Sequence, residues 1–333
     1  MTFEKILEDL KNKRYSPVYF LTGDEPYYID KITEYIADNI LSESEKTFNQ
    51  VILYGKDTKV ADIINSAKRF PMMSEYQVVI VREAQDLDNI SDLAYYTDNP
   101  LKSTILVINY KYKKLDKRLK LHKSVNDNGI LFESKKLYDN QVTEWIGSFL
   151  KNRGYNIEPP ASVLLVEYLG NDLGKIENEL EKLILSFNAR VKTITSAVIE
   201  NNIGISKDFN NFELQKALVE KDSLKANRII NYFDKNQKSN PTVLTITSLY
   251  YFFIKILSYH SLKDKSRKNV ASILRINPYF VDEYKTAARV YPPGKVEQVI
   301  SVLREYDLKS KGVGNLSASP GSLLKELIYK ILH

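Results

Sequence analysis

Residues 15–40, YSPVYFLTGDEPYYIDKITEYIADNI, constrain this chain more than any other stretch, because they have the layout of a nucleotide-binding site without its working residues. The short apolar run at 18–21, flanked by turn residues, reads as a buried strand. A helix follows: Asp24 is a plausible N-cap, Pro26 sits in the first turn, and Ile29, Ile32, Ile36 and Ile40 recur at helical spacing. Strand, glycine turn and helix together make the P-loop layout. Counted from Gly23, a working GxxxxGK[ST] loop needs Gly at 28, Lys at 29 and Ser or Thr at 30. The chain has Tyr28, Ile29 and Asp30 instead. An aromatic stands where the backbone should approach phosphate, the cation is missing, and a carboxylate repels the anion. These residues predict an NTPase-like fold with a non-binding loop, or else an ordinary first strand and helix of some other α/β domain.

A second defect lies further on. The continuous apolar run at 77–81 suggests a strand buried on both faces, as in a parallel sheet. In an active NTPase the acidic pair that holds Mg²⁺ and activates water would close it. Arg82-Glu83 follows here, so a cation replaces the first carboxylate. Further strands are expected at 48–54 and 104–109, and a helix at 58–68 with Val60, Ile63, Ile64 and Ala67 on one face, giving a βα-alternating domain that ends near Lys136. Ahead of them, residues 1–13 read as a charged amphipathic helix without the apolar core of an export signal, which makes a cytoplasmic protein the expectation.

Two of the three methionines, Met72 and Met73, sit side by side after Phe70-Pro71, on a short connector between that helix and the apolar strand. Adjacent residues cannot both face one core, so either one is exposed as an apolar tip or both tuck under the domain as filler. Pro71 could start a short helix there. Residues 110–123, YKYKKLDKRLKLHK, carry Lys113, Lys114, Lys117 and Arg118 among further cations, with tyrosines interleaved. Such a run either tracks a phosphate backbone or forms a solvated face.

With a net charge of +6 the chain suits a polyanionic partner without requiring one. It contains no cysteine, which excludes thiolate zinc, a Cys nucleophile and disulfides. His122, His260 and His333 are too dispersed for a metal site or a triad. No catalytic residue, metal ligand or cofactor is expected. From Leu137 onward the pattern is helical, with Val142, Trp145, Ile146 and Phe149 on one stripe and Asn171 positioned to cap a helix faced by Leu173, Ile176, Leu180, Leu183, Ile184 and Phe187. The most apolar segment, at 241–262, is nearly long enough to span a membrane. Lys255, His260 and its Ser/Thr content favour a helix buried in a bundle.

The order of GDEPYYID, RFPMMSEYQVVIVREAQDL, LDKRLKLHK and above all YLGNDLGKIENELEKL resembles the delta subunit of the bacterial DNA polymerase III clamp loader. The resemblance runs through the late NPYFVDEYKTAARVYPPGKVEQVISVLREYDLKSKG region and so covers essentially the whole chain. It implies an AAA+-type α/β domain with a degenerate P-loop at 1–136, a small helical lid at 137–207 and a helical collar at 208–333. It also implies assembly with an ATPase subunit and delta-prime into a hetero-pentamer that places the ring-shaped sliding clamp, beta, on primed DNA. In that family delta hydrolyses no ATP, grips the clamp and helps hold it open, so no ATPase or polymerase chemistry is expected of the chain itself. The family's gripping pair, usually Leu-Phe, falls on Met72 and Met73 beside Phe70 and Pro71, which favours the exposed alternative. Absence of cysteine also separates the chain from the ATPase subunit and delta-prime, which the resemblance gives a cysteine zinc module. The competing expectations are a basic nucleic-acid-binding protein with an inactive NTPase-like fold and no clamp partner, and a divergent ATPase.

Overall fold

The computed structural model describes residues 1–187, 192–203, 208–315 and 317–333. The chain divides into two compact units, Met1–Lys136 and Leu137–His333. In the first, strands β1 (Val18–Gly23), β2 (Gln50–Tyr54), β3 (Gln77–Arg82), β4 (Thr104–Lys111) and β5 (Ile130–Ser134) form one sheet in the order β2-β3-β4-β1-β5. Every pairing is parallel. A parallel sheet needs crossovers, and these cover both faces with helices. Tyr19, Leu21, Val78, Ile80 and Val107 pack on one side with Ile6 and Leu10 of helix Phe3–Lys11 and Ile29, Ile32 and Ile36 of helix Pro26–Asn39. Phe20, Val79, Val81, Leu106 and Ile108 pack on the other with Val60, Ile63 and Ala67 of helix Val60–Ala67 and Leu121 and Val125 of helix Lys120–Asn128. Two-sided burial explains why these strands read as unbroken apolar runs.

Local details depart from the sequence reading at the ends of several elements. Asp24 is not the N-cap: its N–H donates to the Ser134 carbonyl at 3.2 Å, and the cap is Glu25, whose carboxylate accepts from the Tyr27 N–H. Phe48 is not in the second strand. It belongs to helix Glu43–Asn49, opened by a capping box in which the Ser42 N–H donates to Glu45 at 2.8 Å. Pro71 starts no helix, because residues 70–76 run as bends tied to other elements. The strand β5, needed to close the sheet beside β1, was not expected at all.

Among its described residues the second unit is helical apart from two short parallel strands, Asn156–Ile157 and Thr193–Ile194, that interrupt the expected all-helical run. Helix Asp139–Lys151 buries Val142, Ile146 and Phe149. Helix Leu173–Ser186 buries Leu173, Ile176, Leu180 and Leu183 and is capped by Asp172 rather than Asn171; the Asp172 carboxylate accepts from the Lys175 N–H at 3.0 Å. Asn171 instead donates to the Leu137 carbonyl. Downstream, helices Ser223–Lys235, Thr242–Ser261, Pro293–Ser310 and Pro320–Leu332 share one core through Ile230, Phe233, Leu249, Phe253, Leu303 and Leu327. Helix Thr242–Ser261 is long and apolar enough to cross a membrane by length and composition. Its Ile246, Leu249, Phe253 and Ile256 belong to that core, which accounts for the apolarity without a bilayer. Residues 204–207, at the junction expected between lid and collar, lie outside the described residues.

Candidate functional site

The two stretches singled out in the first unit lie at opposite edges of its sheet. In open α/β sheets ligands bind at the carboxyl ends of the strands. Here that edge is formed by Gly23, Tyr54, Arg82, Lys111 and Ser134. A phosphate would need the backbone amides that follow β1, and the protein's own acceptors take them. The Gly23 N–H donates to the Lys113 carbonyl at 3.1 Å, the Asp24 N–H to the Ser134 carbonyl, and the Glu25 N–H to Ser134 Oγ at 3.2 Å. The helix begins at Pro26, which has no N–H to offer, and the Tyr27 N–H is taken by the Glu25 carboxylate at 3.2 Å.

Each side chain at the degenerate positions has a structural partner. Tyr28 packs against Phe3 with ring centroids 4.7 Å apart, and burial pushes its phenol up to about 12. Ile29 is fully buried in the sheet's core. Asp30 lies 2.8 Å from the ammonium of Lys111, which also reaches Glu83 at 3.1 Å. Burial works against the charge on Lys111, but the Asp30 and Glu83 carboxylates outweigh it and hold the lysine above its ordinary range. For Glu83, burial is likewise outweighed, by hydrogen bonds from Gln85 and Lys111, and its carboxyl titrates below the usual value. Lys111 is thus already neutralised by two carboxylates, whereas Arg82 at the same edge has a buried Nε with no hydrogen-bond partner among the described residues. The sequence counts Lys111 among the cations of the run at 110–123; its pairing with Asp30, 81 positions earlier, arises only because β4 carries it to this edge.

At the amino edge, the connector between helix Val60–Ala67 and β3 carries the apolar tip. Met73 is fully exposed at 102%, Phe70 at 77% and Met72 at 55%. Pro71 is half-buried. Met73 adopts a left-handed backbone, φ 53°, unusual for a residue with a β-carbon. The base of the connector is fixed by buried Gln77, whose Nε2 donates to the Ala67 carbonyl at 3.1 Å, to Thr104 Oγ1 at 2.7 Å and to the Arg69 carbonyl. From the other side, the Met72 N–H donates to Asn49 Oδ1 at 2.7 Å and Asn49 Nδ2 donates to the Met72 carbonyl at 2.9 Å. Neither Asn49 nor Gln77 was singled out in the sequence. Their one signal was a polar residue adjoining a strand where the pattern asks for an apolar one.

The basic run does not present one uninterrupted cationic face. Lys114 pairs with Glu133 at 2.7 Å, Arg118 with Asp116 at 2.7 Å and Lys120 with Asp98. Lys113 donates to the Gln85 carbonyl at 2.8 Å and makes no ion pair among the described residues. Lys117 makes no ion pair among the described residues. Among those residues no group of His, Cys, Asp and Glu is arranged to hold a metal ion.

The first unit is thus a parallel αβα layer whose carboxyl edge is occupied by its own side chains, and a helical unit follows it in the chain. The family comparison is specific: residues 19–135 match the family described as "DNA polymerase III, delta subunit". The DNA polymerase III subunit delta of Bacillus subtilis strain 168 is 25% identical over 321 residues, covering 93% of this chain and 92% of that protein. The solved Bacillus subtilis DNA clamp loader delta protein YqeN superposes with a TM-score of 0.58 at 23% identity and 99% coverage of both chains, a likeness of fold. The delta-subunit resemblance carried by the motifs therefore holds, and a clamp-loader delta role in DNA replication is the reading these relatives support.

Proposed function

We propose that this chain is the delta subunit of a replicative clamp loader and grips the sliding clamp through Phe70, Pro71, Met72 and Met73. The observation that carries the reading is three large apolar side chains exposed on a connector held rigidly at both ends. Exposed apolar residues on a fixed base suit insertion into a partner's pocket, since little ordering entropy remains to be lost. In this reading 137–207 forms the lid and 208–333 the collar that joins the ATPase subunit and delta-prime, while the grip helps hold the ring open. The direct test is co-elution of the purified chain with the sliding clamp from its own source. A stable complex supports the reading, and two separate peaks at micromolar concentration of both would reject it.

The same proposal holds the chain to be nucleotide-free. Amides consumed by Lys113 and Ser134, together with Asp30 on Lys111, support this. Millimolar MgATP should therefore leave the midpoint of thermal unfolding unchanged, because any ligand that binds the native state must raise it. Turnover that co-purifies with the chain through successive columns would count against it.

Direct DNA binding by the basic run, with no clamp involved, is the weaker reading, because four of its cations, Lys111, Lys114, Arg118 and Lys120, are already paired within the domain. Replacing Lys113, Lys114 and Lys117 with Ala in the assembled loader removes only two unpaired charges. The slope of log affinity for DNA against log salt should then fall by at most about 2. An unchanged slope would identify the run as a solvated face.

A further inference from the structure

We propose that Asn49, at the end of helix Glu43–Asn49, is a positioning residue for the clamp-gripping tip; this rests on the grip assigned above to Met72 and Met73. Asn49 is 3% exposed, and its side-chain amide makes a two-point contact with one backbone residue: Met72 N–H to Oδ1 at 2.7 Å and Nδ2 to Met72 C=O at 2.9 Å. This is the pairing a neighbouring strand would supply, concentrated in one side chain. It lies where β2 and β3 begin side by side, Gln50 being in register with Val78.

The chemistry of the contact is selective. Only an amide offers one donor and one acceptor in a plane. Aspartate keeps the acceptor for the Met72 N–H but turns an anionic oxygen toward the Met72 carbonyl. Alanine offers neither group. The two bonds lie immediately before Met73, whose left-handed backbone persists only where its surroundings over-determine it. Releasing Met72 lets Met73 relax to an ordinary conformation, and the side chain that is now wholly in solvent would no longer be presented at a fixed angle. The tip would keep its apolar atoms and lose its pre-organisation.

The test compares three full-length variants, Asn49→Ala, Asn49→Asp and the Met72→Ala, Met73→Ala double change, by affinity for the purified clamp, by exchange of the Met72 amide and by thermal midpoint. Asn49→Ala should bind the clamp about tenfold more weakly. Its Met72 amide should exchange on the order of tenfold faster while core amides of β3 and β4 keep their protection. Asn49→Asp, nearly isosteric, should fall between Asn49→Ala and wild type, and it carries the test if the alanine variant does not fold. A lowered midpoint with clamp affinity unchanged in both Asn49 variants would mean that Asn49 only stabilises the fold, and would overturn the proposal. If the double methionine change also leaves affinity unchanged, the grip itself is misassigned and the positioning role falls with it. If only the methionine change weakens binding, the grip stands and the positioning role alone is rejected.

Discussion

The Met72→Ala, Met73→Ala double variant should bind the sliding clamp at least tens of times more weakly than wild type while melting close to the wild-type midpoint. The two halves of that result come from the same geometry. Met73 is fully exposed and Met72 half-exposed, and neither belongs to the cores on the two faces of the sheet, so truncation opens no cavity. Had the pair been filler beneath the domain, each truncation would cost roughly 2–5 kcal/mol of stability. An apolar anchor buried in a partner's pocket, by contrast, commonly contributes on the order of 2 kcal/mol to binding. The delta family's usual pair, as the resemblance implies, is Leu-Phe, and a thioether in place of the aromatic gives a softer, more adaptable contact. Phe70, 77% exposed on the same connector, brings an aromatic within two residues of the pair. Clamp affinity and the melting curve, taken on one preparation, decide the matter. A large fall in midpoint with undiminished affinity in the folded fraction would refute the assignment.

Gly23→Ala should lower the midpoint by roughly 10 °C, whether or not ATP is present. Gly23 closes β1 with φ 120°, and a β-carbon there would lie 2.0 Å from the Ser134 carbonyl oxygen and 2.6 Å from its hydroxyl. Neither can retreat. The carbonyl accepts from Asp24, and the hydroxyl donates to the Thr22 carbonyl at 3.2 Å while accepting from the Glu25 N–H. Backbone strain and overpacking together cost on the order of 3 kcal/mol. A glycine kept for phosphate would behave in the opposite way, since alanine would then abolish nucleotide binding and spare the fold. A variant that melts like wild type would show that β1 and β5 can part at this point without cost.

Much of the molecule was legible from the amino-acid order because it depends on short-range patterns. The apolar runs at 18–21, 77–81 and 104–109 read as strands, the second as one covered on both faces, and β1, β3 and β4 occupy those positions. The helical periodicity of Ile29, Ile32 and Ile36, and of Leu173, Ile176, Leu180 and Leu183, gave the buried faces found in the structure. Replacement of the P-loop residues was equally plain, because a missing cation needs no fold to be noticed.

What the order could not supply were partners brought together from far along the chain. Ser134, 111 positions after Gly23, is the reason the glycine is there, and β5, which carries it, was overlooked because only part of its short run is buried. Asp30 and Glu83 hold the Lys111 ammonium in ion pairs that exist only once β4 lies beside β1 and β3. The basic run looked like one surface in sequence, yet the fold spends its charges on Glu133, Asp116 and Asp98. The tip shows the division most clearly. Sequence placed two methionines on a connector, whereas their exposure follows from Asn49 and Gln77 fixing that connector from either side, and hydrogen bonds between elements appear in no local pattern.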